Sequence, residues 1–421
     1  MQALQNSVSQ RMYEDLKKLV GCGNRFAGSE AEWKAAEFVR ETFKKSTFSV
    51  VEEKFPIQAF EEMKSSVEVG GKEFSSRTMF YSIGTPAEGI EGELVFAGIG
   101  REEDYIDIDV KDKIVIIHRD KETEKDQFWP EVCTAAKRGA KGFILINFDP
   151  WVFITTLETG FFKKEERFLP IEPNPIPALI VNRDDGAEIL RMMDKEGQKA
   201  CIKAEVFNGE RESVNVRAIK EGTEMPEEKI LVYGHRDSAG TPGANDNGSG
   251  TVIMLEIARL LKDLPMKRTV ELVSLGAEEQ LGSAGSDAYI MEHRETLSNI
   301  KAGIELDMVA AGSPVWVMEG GNWPDCKIQF AKGICDYVVD TAEKMGYYME
   351  KGFCALGTPD SGRFTHSGVS TTWIWGPGDI HYHSPEDTLD KVDPNKLKVV
   401  ADVIATAVYN LANKECLEDM K

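Results

Sequence analysis

Apolar residues recur at helical spacing in two stretches near the start of the chain, about residues 9 to 20 and 30 to 46, where AEWKAAEFVRETF lines one face. The period then changes. FSVVEEKF reads as a strand, and beyond Gly84 and Pro86 the short apolar runs GELVFAGIG, KIVIIHRD and GFILINFD alternate with acidic and glycine-bearing turns. IPALIVNRDDGAEILRMM closes this stretch as a strand and a helix. From about residue 213 strands and amphipathic helices alternate, and strands such as KILVYG and TVELVSL are apolar throughout. A strand apolar on both faces is covered on both. The pattern predicts an α/β fold, a mixed and mainly parallel sheet sandwiched by helices. Its two parts, residues 1–85 and 208–421, flank a smaller strand-rich insert at 86–207.

Composition narrows the partners. A chain of 421 residues exceeds one ordinary core, which agrees with a second unit. Its formal charge of −21 repels nucleic acid and anionic membranes. No apolar run reaches the roughly eighteen residues of a membrane span, and MQALQNSVSQRMYEDLKKLV has no apolar signal core, so a soluble cytoplasmic location is expected. Seven cysteines without a CxxC pair fit a reducing compartment; whether Cys326 and Cys335 pair is left open by the sequence.

In open α/β sheets, ligands gather beyond the carboxyl ends of the strands. Four such ends carry His, Asp or Glu: His235 and Asp237 after ILVYG, Glu278 and Glu279 after TVELVSLGA, Asp307 after AGIEL, and His381 and His383 after TTWIWGPGD. Four in register are hard to explain as turn formers. Asp237, two residues from His235, suits the carboxylate that orients a metal-bound imidazole. Asp246, in GANDNGSG ahead of an amphipathic helix, is either a helix cap or a short acid able to offer one oxygen to each of two ions. Of the adjacent Glu278 and Glu279, one can bind metal while the other moves a proton. Mixed His and carboxylate ligation suits zinc, with cobalt or manganese as substitutes. Spacing does not separate His381 from His383. A second HRD, at His118 to Asp120, lies outside the series and reads as structural; His293 reads as surface and His366 as a packed histidine.

HRD, GANDNGSG, EEQLGS, ELD and YHSPEDT, in this order, resemble the superfamily of di-zinc aminopeptidases that includes glutamate carboxypeptidase II and the transferrin receptor. The resemblance spans most of residues 213 to 413. It implies two zinc ions held by His235, Asp246, Glu279, Asp307 and His383, with Asp246 bridging, and selects His383 over His381. It implies Glu278 as the catalytic base and removal of amino-terminal residues from peptides by a metal-activated water; Asp237, as the carboxylate that orients His235, is counted with Glu278 among the catalytic candidates. GTPDSGRF resembles the segment beside the specificity pocket, making Asp360 and Arg363 candidates for substrate contact. Trp375, beside Trp373, is a candidate pocket wall. Arg363 keeps a carboxypeptidase or dipeptidase in play, since an arginine there can take a substrate carboxylate. A non-catalytic binding module like the transferrin receptor and a single-zinc glutaminyl cyclase are the rivals from other classes. KDKIVIIHRD, AAKRGAKGFILIN and IPALIVNRDDGAEIL make the insert similar to a protease-associated domain, and Phe161 and Phe162 are expected near the substrate entrance. The expected partner is a peptide; a homo-oligomer stays open.

Overall fold

The computed structural model describes residues 4–46, 48–118, 129–148, 174–193, 198–279, 282–322, 327–354 and 359–421. One twisted sheet runs through them. At its centre the strands Thr371–Trp375, Ile300–Leu306, Met225–His235 and Arg268–Leu275 lie side by side and parallel. Their side chains alternate between two apolar layers. Ile230 and Val232 join the core formed with the helices Ser9–Val20, Glu30–Lys44, Gly250–Leu261 and Pro394–Asn413. Leu231 and Tyr233 face the opposite layer, against Tyr289 and Ile290 of the helix Ala284–Glu292 and Phe364 of the helix Asp360–His366. Each of these apolar side chains is worth roughly 2 kcal/mol when taken out of water, which is why the strands read as unbroken apolar runs. The two helices expected at the start form as Ser9–Val20 and Glu30–Lys44. Ser29 caps the second by accepting the N–H of Glu32.

The insert is less purely strand-built than its turns suggest. Its strands Ile90–Phe96, Ile114–His118, Gly142–Ile146 and Ala178–Val181 are parallel neighbours, accompanied by the helices Trp129–Lys137 and Arg183–Met193. Parallel neighbours need crossover connections, and a helix is the usual one. The apolar runs IVII, GFILI and ALIV carry the same both-faces-buried signature as the central strands. Phe161 and Phe162 lie outside the described residues.

Insert and central sheet are joined by two long strands. Ser49–Val69 and Lys199–Lys220 pair antiparallel from Ser49 opposite Ile219 to Val69 opposite Ala200, with one register shift between Glu62 and Lys64. The boundary expected between residues 207 and 208 falls inside the second of these strands. Among the described residues no helix is long and apolar enough to cross a membrane.

Candidate active site

The polar residues gather where the parallel strands end. Met225–His235 finishes on His235, and Ile300–Leu306 stops one residue before Asp307. Their ring and carboxylate meet, with His235 Nε2 3.3 Å from Asp307 Oδ1. Asp246 lies between two histidines. Its Oδ1 is 3.4 Å from His235 Nε2 and its Oδ2 is 3.2 Å from His383 Nε2, while His383 Nε2 also stands 2.9 Å from Glu279 Oε2. Among the described residues three triplets keep their ligand atoms inside 4.8 Å of one another, and two of them, His235–Asp246–Asp307 and Asp246–Glu279–His383, have Asp246 in common. His381 belongs to neither.

The elbow that presents Asp246 is built from glycine and amide chemistry. Gly243 turns with φ 60°, a left-handed conformation that L side chains rarely adopt. A Cβ on Gly250 would stand 2.2 Å from the Leu306 carbonyl, so only glycine lets the following helix come this close to the strand end. Asn247 ties the two together, donating to Leu306 O at 2.8 Å and accepting the Gly250 N–H at 2.9 Å. Asp246 is therefore not a simple helix cap: its own backbone is non-helical, and its N–H donates to Asp387 Oδ2 at 3.0 Å. Asp387 also accepts the Asn245 N–H at 2.8 Å. Sequence reasoning assigned Asp387 no role, although the acidic pair in SPEDT was its signal.

Asp237 does more than face His235. Its carboxylate accepts the N–H groups of Glu278 and Glu279, each at 3.1 Å, while His235 Nδ1 lies closer to its carbonyl (3.2 Å) than to its Oδ1 (3.5 Å). One buried aspartate thus locates both the histidine and the glutamate pair. Glu278 offers an oxygen within 4.8 Å of His235 and Glu279 ligand atoms. Arg236, pointing the other way, is fully buried and donates to Glu32 Oε1 at 2.6 Å and Ser274 O at 2.9 Å.

Burial and crowding set the electrostatics. Burial pushes the Glu278 carboxyl well above its ordinary value, and Glu279, Asp360 and Asp237 push it further, against the opposing pull of His235. Glu279 is raised to about 7, by burial first and Asp246 next. For His383 burial opposes protonation, but Glu279 and Asp246 outweigh it and raise the imidazole to about 10. Asp246 Oδ2 and Glu279 Oε1 are buried without a hydrogen-bond partner among the described residues. Carboxylate oxygens left in this way beside imidazole nitrogens suit a divalent cation.

The candidate substrate contacts are enclosed. Asp360 accepts from Ser286 Oγ at 2.6 Å, and Arg363 donates to Gly282 O at 2.8 Å; both are buried. Glu305 receives the N–H groups of Asp360 and Ser361, which seats that helix behind Asp307. Trp375 stacks on Trp373 at 4.9 Å between ring centroids. Ile374 pairs with Leu306, so Trp375, the last residue of its strand, stands level with Asp307. The remaining histidines are elsewhere. His118 is exposed and stacks on Phe96, and His366 ends the helix Asp360–His366. His293 is half-buried and bonded to Glu53 at 2.9 Å; its polar neighbours in sequence suggested an open surface, but the long strand covers it.

The chain resembles known proteins along most of its length. Residues 215–408 match peptidase family M28, and residues 90–189 match the PA domain. The chain is 28% identical over 415 residues to aminopeptidase YwaD of Bacillus subtilis (strain 168), covering 93% of this chain and 82% of that protein. It is 28% identical over 364 residues to carboxypeptidase Q of Homo sapiens, covering 79% and 70%. Among solved structures, BSAP, a zinc aminopeptidase from Bacillus subtilis, matches with a TM-score of 0.77 at 26% identity, covering 99% of this chain and all of that one.

Proposed function

From a chain that belongs to peptidase family M28 and carries a PA domain within it, we infer a zinc aminopeptidase with two ions per chain. One observation carries the reading: the two oxygens of Asp246 face different histidines, each with its own second carboxylate. His235 and Asp307 would hold one ion, Glu279 and His383 the other, and Asp246 both. When bound, two such ions polarise the scissile carbonyl and lower the pKa of water.

The chain's own groups supply the rest. Glu278, whose carboxyl binds a proton more readily than an ordinary glutamate, takes a proton from the attacking water and delivers it to the nitrogen of the leaving amine. The new C–O bond forms first, and the C–N bond breaks once its nitrogen has received the proton, so one water is consumed for each residue released. Asp237 keeps Glu278 in place through the main chain and steadies His235. Carboxylates around the ions give a free α-amino group a complementary field, which favours removal of amino-terminal residues. Arg363 and Trp375 remain proposed substrate contacts, as does Asp360, and the substrate is a peptide. Cobalt or manganese would substitute at the same donor set.

The deciding experiment presents free-amine and N-blocked peptides to the zinc-loaded enzyme and to Glu278→Gln at matched metal content. Release of amino-terminal residues from free-amine peptides only, reduced about 100- to 10,000-fold in the variant, is the expected result. Cleavage of N-blocked peptides from the carboxyl end would replace it with the carboxypeptidase reading, toward which carboxypeptidase Q of Homo sapiens points. No cleavage by fully metallated wild type would leave a binding protein.

A further inference from the structure

Between Asp237 and the elbow of Asp246 the chain makes an excursion, Ser238–Gly243, with no helix or strand of its own. A residue more than two hundred positions away holds it. The Arg25 side chain is fully buried, and its guanidinium donates from Nε to Arg236 O, from Nη1 to Pro242 O and from Nη2 to Gly243 O, each at 2.7 Å. Main chains lock the same place. Arg25 N donates to Ser238 Oγ, and Ser238 N donates back to Arg25 O, both at 3.1 Å. The excursion closes directly on the guanidinium, since a Cβ on Gly243 would lie 2.6 Å from Nη2.

The three carbonyls bracket the site. Arg236 follows His235 in the chain, and Gly243 precedes Asp246 by three residues. A guanidinium is a rigid planar fork, so carbonyls bonded to it have a fixed separation, which a flexible ammonium would not impose. We propose that Arg25 is a positioning residue for the two-zinc site, setting the distance between His235 and Asp246 by holding both ends of the loop between them. The proposal rests on the two-zinc reading above.

Charge makes the idea decidable by sign. Arg25 is a buried cation near Asp387, Asp237 and Asp246, and it acts on them through space. If charge were its whole effect, removing it would tighten the binding of a second cation. If it is a clamp, removal loosens binding, because the ligands lose their spacing.

The test measures zinc occupancy against buffered free zinc, and the visible absorption of the cobalt-substituted protein, for wild type, Arg25→Met, Arg25→Lys and Ser238→Ala. Wild type should fill two sites; fewer would remove the two-zinc reading without touching the comparison between variants. Arg25→Met should need about 10- to 100-fold more free zinc for half occupancy and show an altered cobalt spectrum. Arg25→Lys should recover part of the loss, and Ser238→Ala should show a smaller shift in the same direction. Tighter binding in Arg25→Met would reduce Arg25 to a charge effect, and unchanged binding with an unchanged spectrum in the folded variant would overturn the clamp outright. Should Arg25→Met fail to fold, wild-type zinc affinity and spectrum in both Arg25→Lys and Ser238→Ala would overturn it equally.

Discussion

Asp237 and Glu278 meet through the main chain, the Glu278 N–H donating to Asp237 Oδ1 at 3.1 Å, and the neighbouring Glu279 N–H does the same to Oδ2. Both oxygens of the aspartate are thus committed to one loop. Asp237→Asn puts an amide donor against one of those N–H groups and displaces the glutamate pair. Activity should fall about 10- to 100-fold at saturating zinc, with the free zinc needed for half occupancy rising as well. Steady-state kinetics beside a zinc titration checks it; an unchanged kcat would show that the loop holds itself.

Asp246 and His381 make a contrasting pair in one metal analysis. Asp246→Ala removes the carboxylate shared by both triplets, so the purified protein should retain at most one zinc per chain after dialysis. His381→Ala, outside both triplets, should keep the wild-type content. Zinc loss in His381→Ala equal to that in a His383→Ala control would move the ligand by two residues.

Glu32 and Arg236 are both fully enclosed and joined at 2.6 Å. Removing one member of a buried pair leaves the other charge uncompensated, at a cost of about 3 to 5 kcal/mol. Glu32→Ala should therefore lower the urea midpoint of unfolding strongly, whereas Glu30→Ala, whose partner Lys34 is more than half exposed, should leave it nearly unchanged. Equal shifts would mean that the burial of Glu32 is not what matters.

Glu53 gives the stability a pH dependence. Burial pushes its carboxyl up, but the bond to His293 and the charge of Arg217 outweigh it and hold the group below its ordinary value of 4.5. A carboxyl depressed on folding stabilises the native state above its unfolded pKa, and the benefit is lost as pH falls through the folded value. Wild type should melt higher than Glu53→Gln at pH 6, and the gap should shrink as pH falls below the ordinary carboxyl value of 4.5 and go on shrinking towards acid. A gap that widens towards acid would reverse the sign and refute the assignment.

The site was more legible than its supports. His235, Glu278, Glu279, Asp307 and His383 stand at or after strand ends, with Asp246 on the elbow before the next helix, and the strands announce themselves by apolar runs, so local pattern led to one crevice. Arg25 and Asp387 hold main-chain carbonyls and amides far away in sequence, and Glu32 holds the distant Arg236 and Ser213 side chains. Their neighbours GNRFAGSEAE and SPEDT carry no periodicity that points across the fold. The long strand from Ser49 was legible only over FSVVEEKF, because beyond Pro56 its residues alternate irregularly between buried and exposed, one side facing the paired strand's surroundings unevenly. The parallel order inside the insert was written in IVII, GFILI and ALIV, but short runs separated by turns also describe an antiparallel meander, and side-chain pattern does not tell the two apart.

The paired strands Ser49–Val69 and Lys199–Lys220 decide how the insert is able to move. Domains hung on two loose linkers swing freely, but here both crossings of the chain are built into one ladder. Displacement of the insert relative to the half that carries the candidate site has to be torsion of a ribbon, opposed by every rung along it. The rungs are interrupted where the register slips, between Glu62 and Lys64, and resistance to twisting is least there. The ribbon behaves as a leaf spring with its weak point nearer the insert than the sheet.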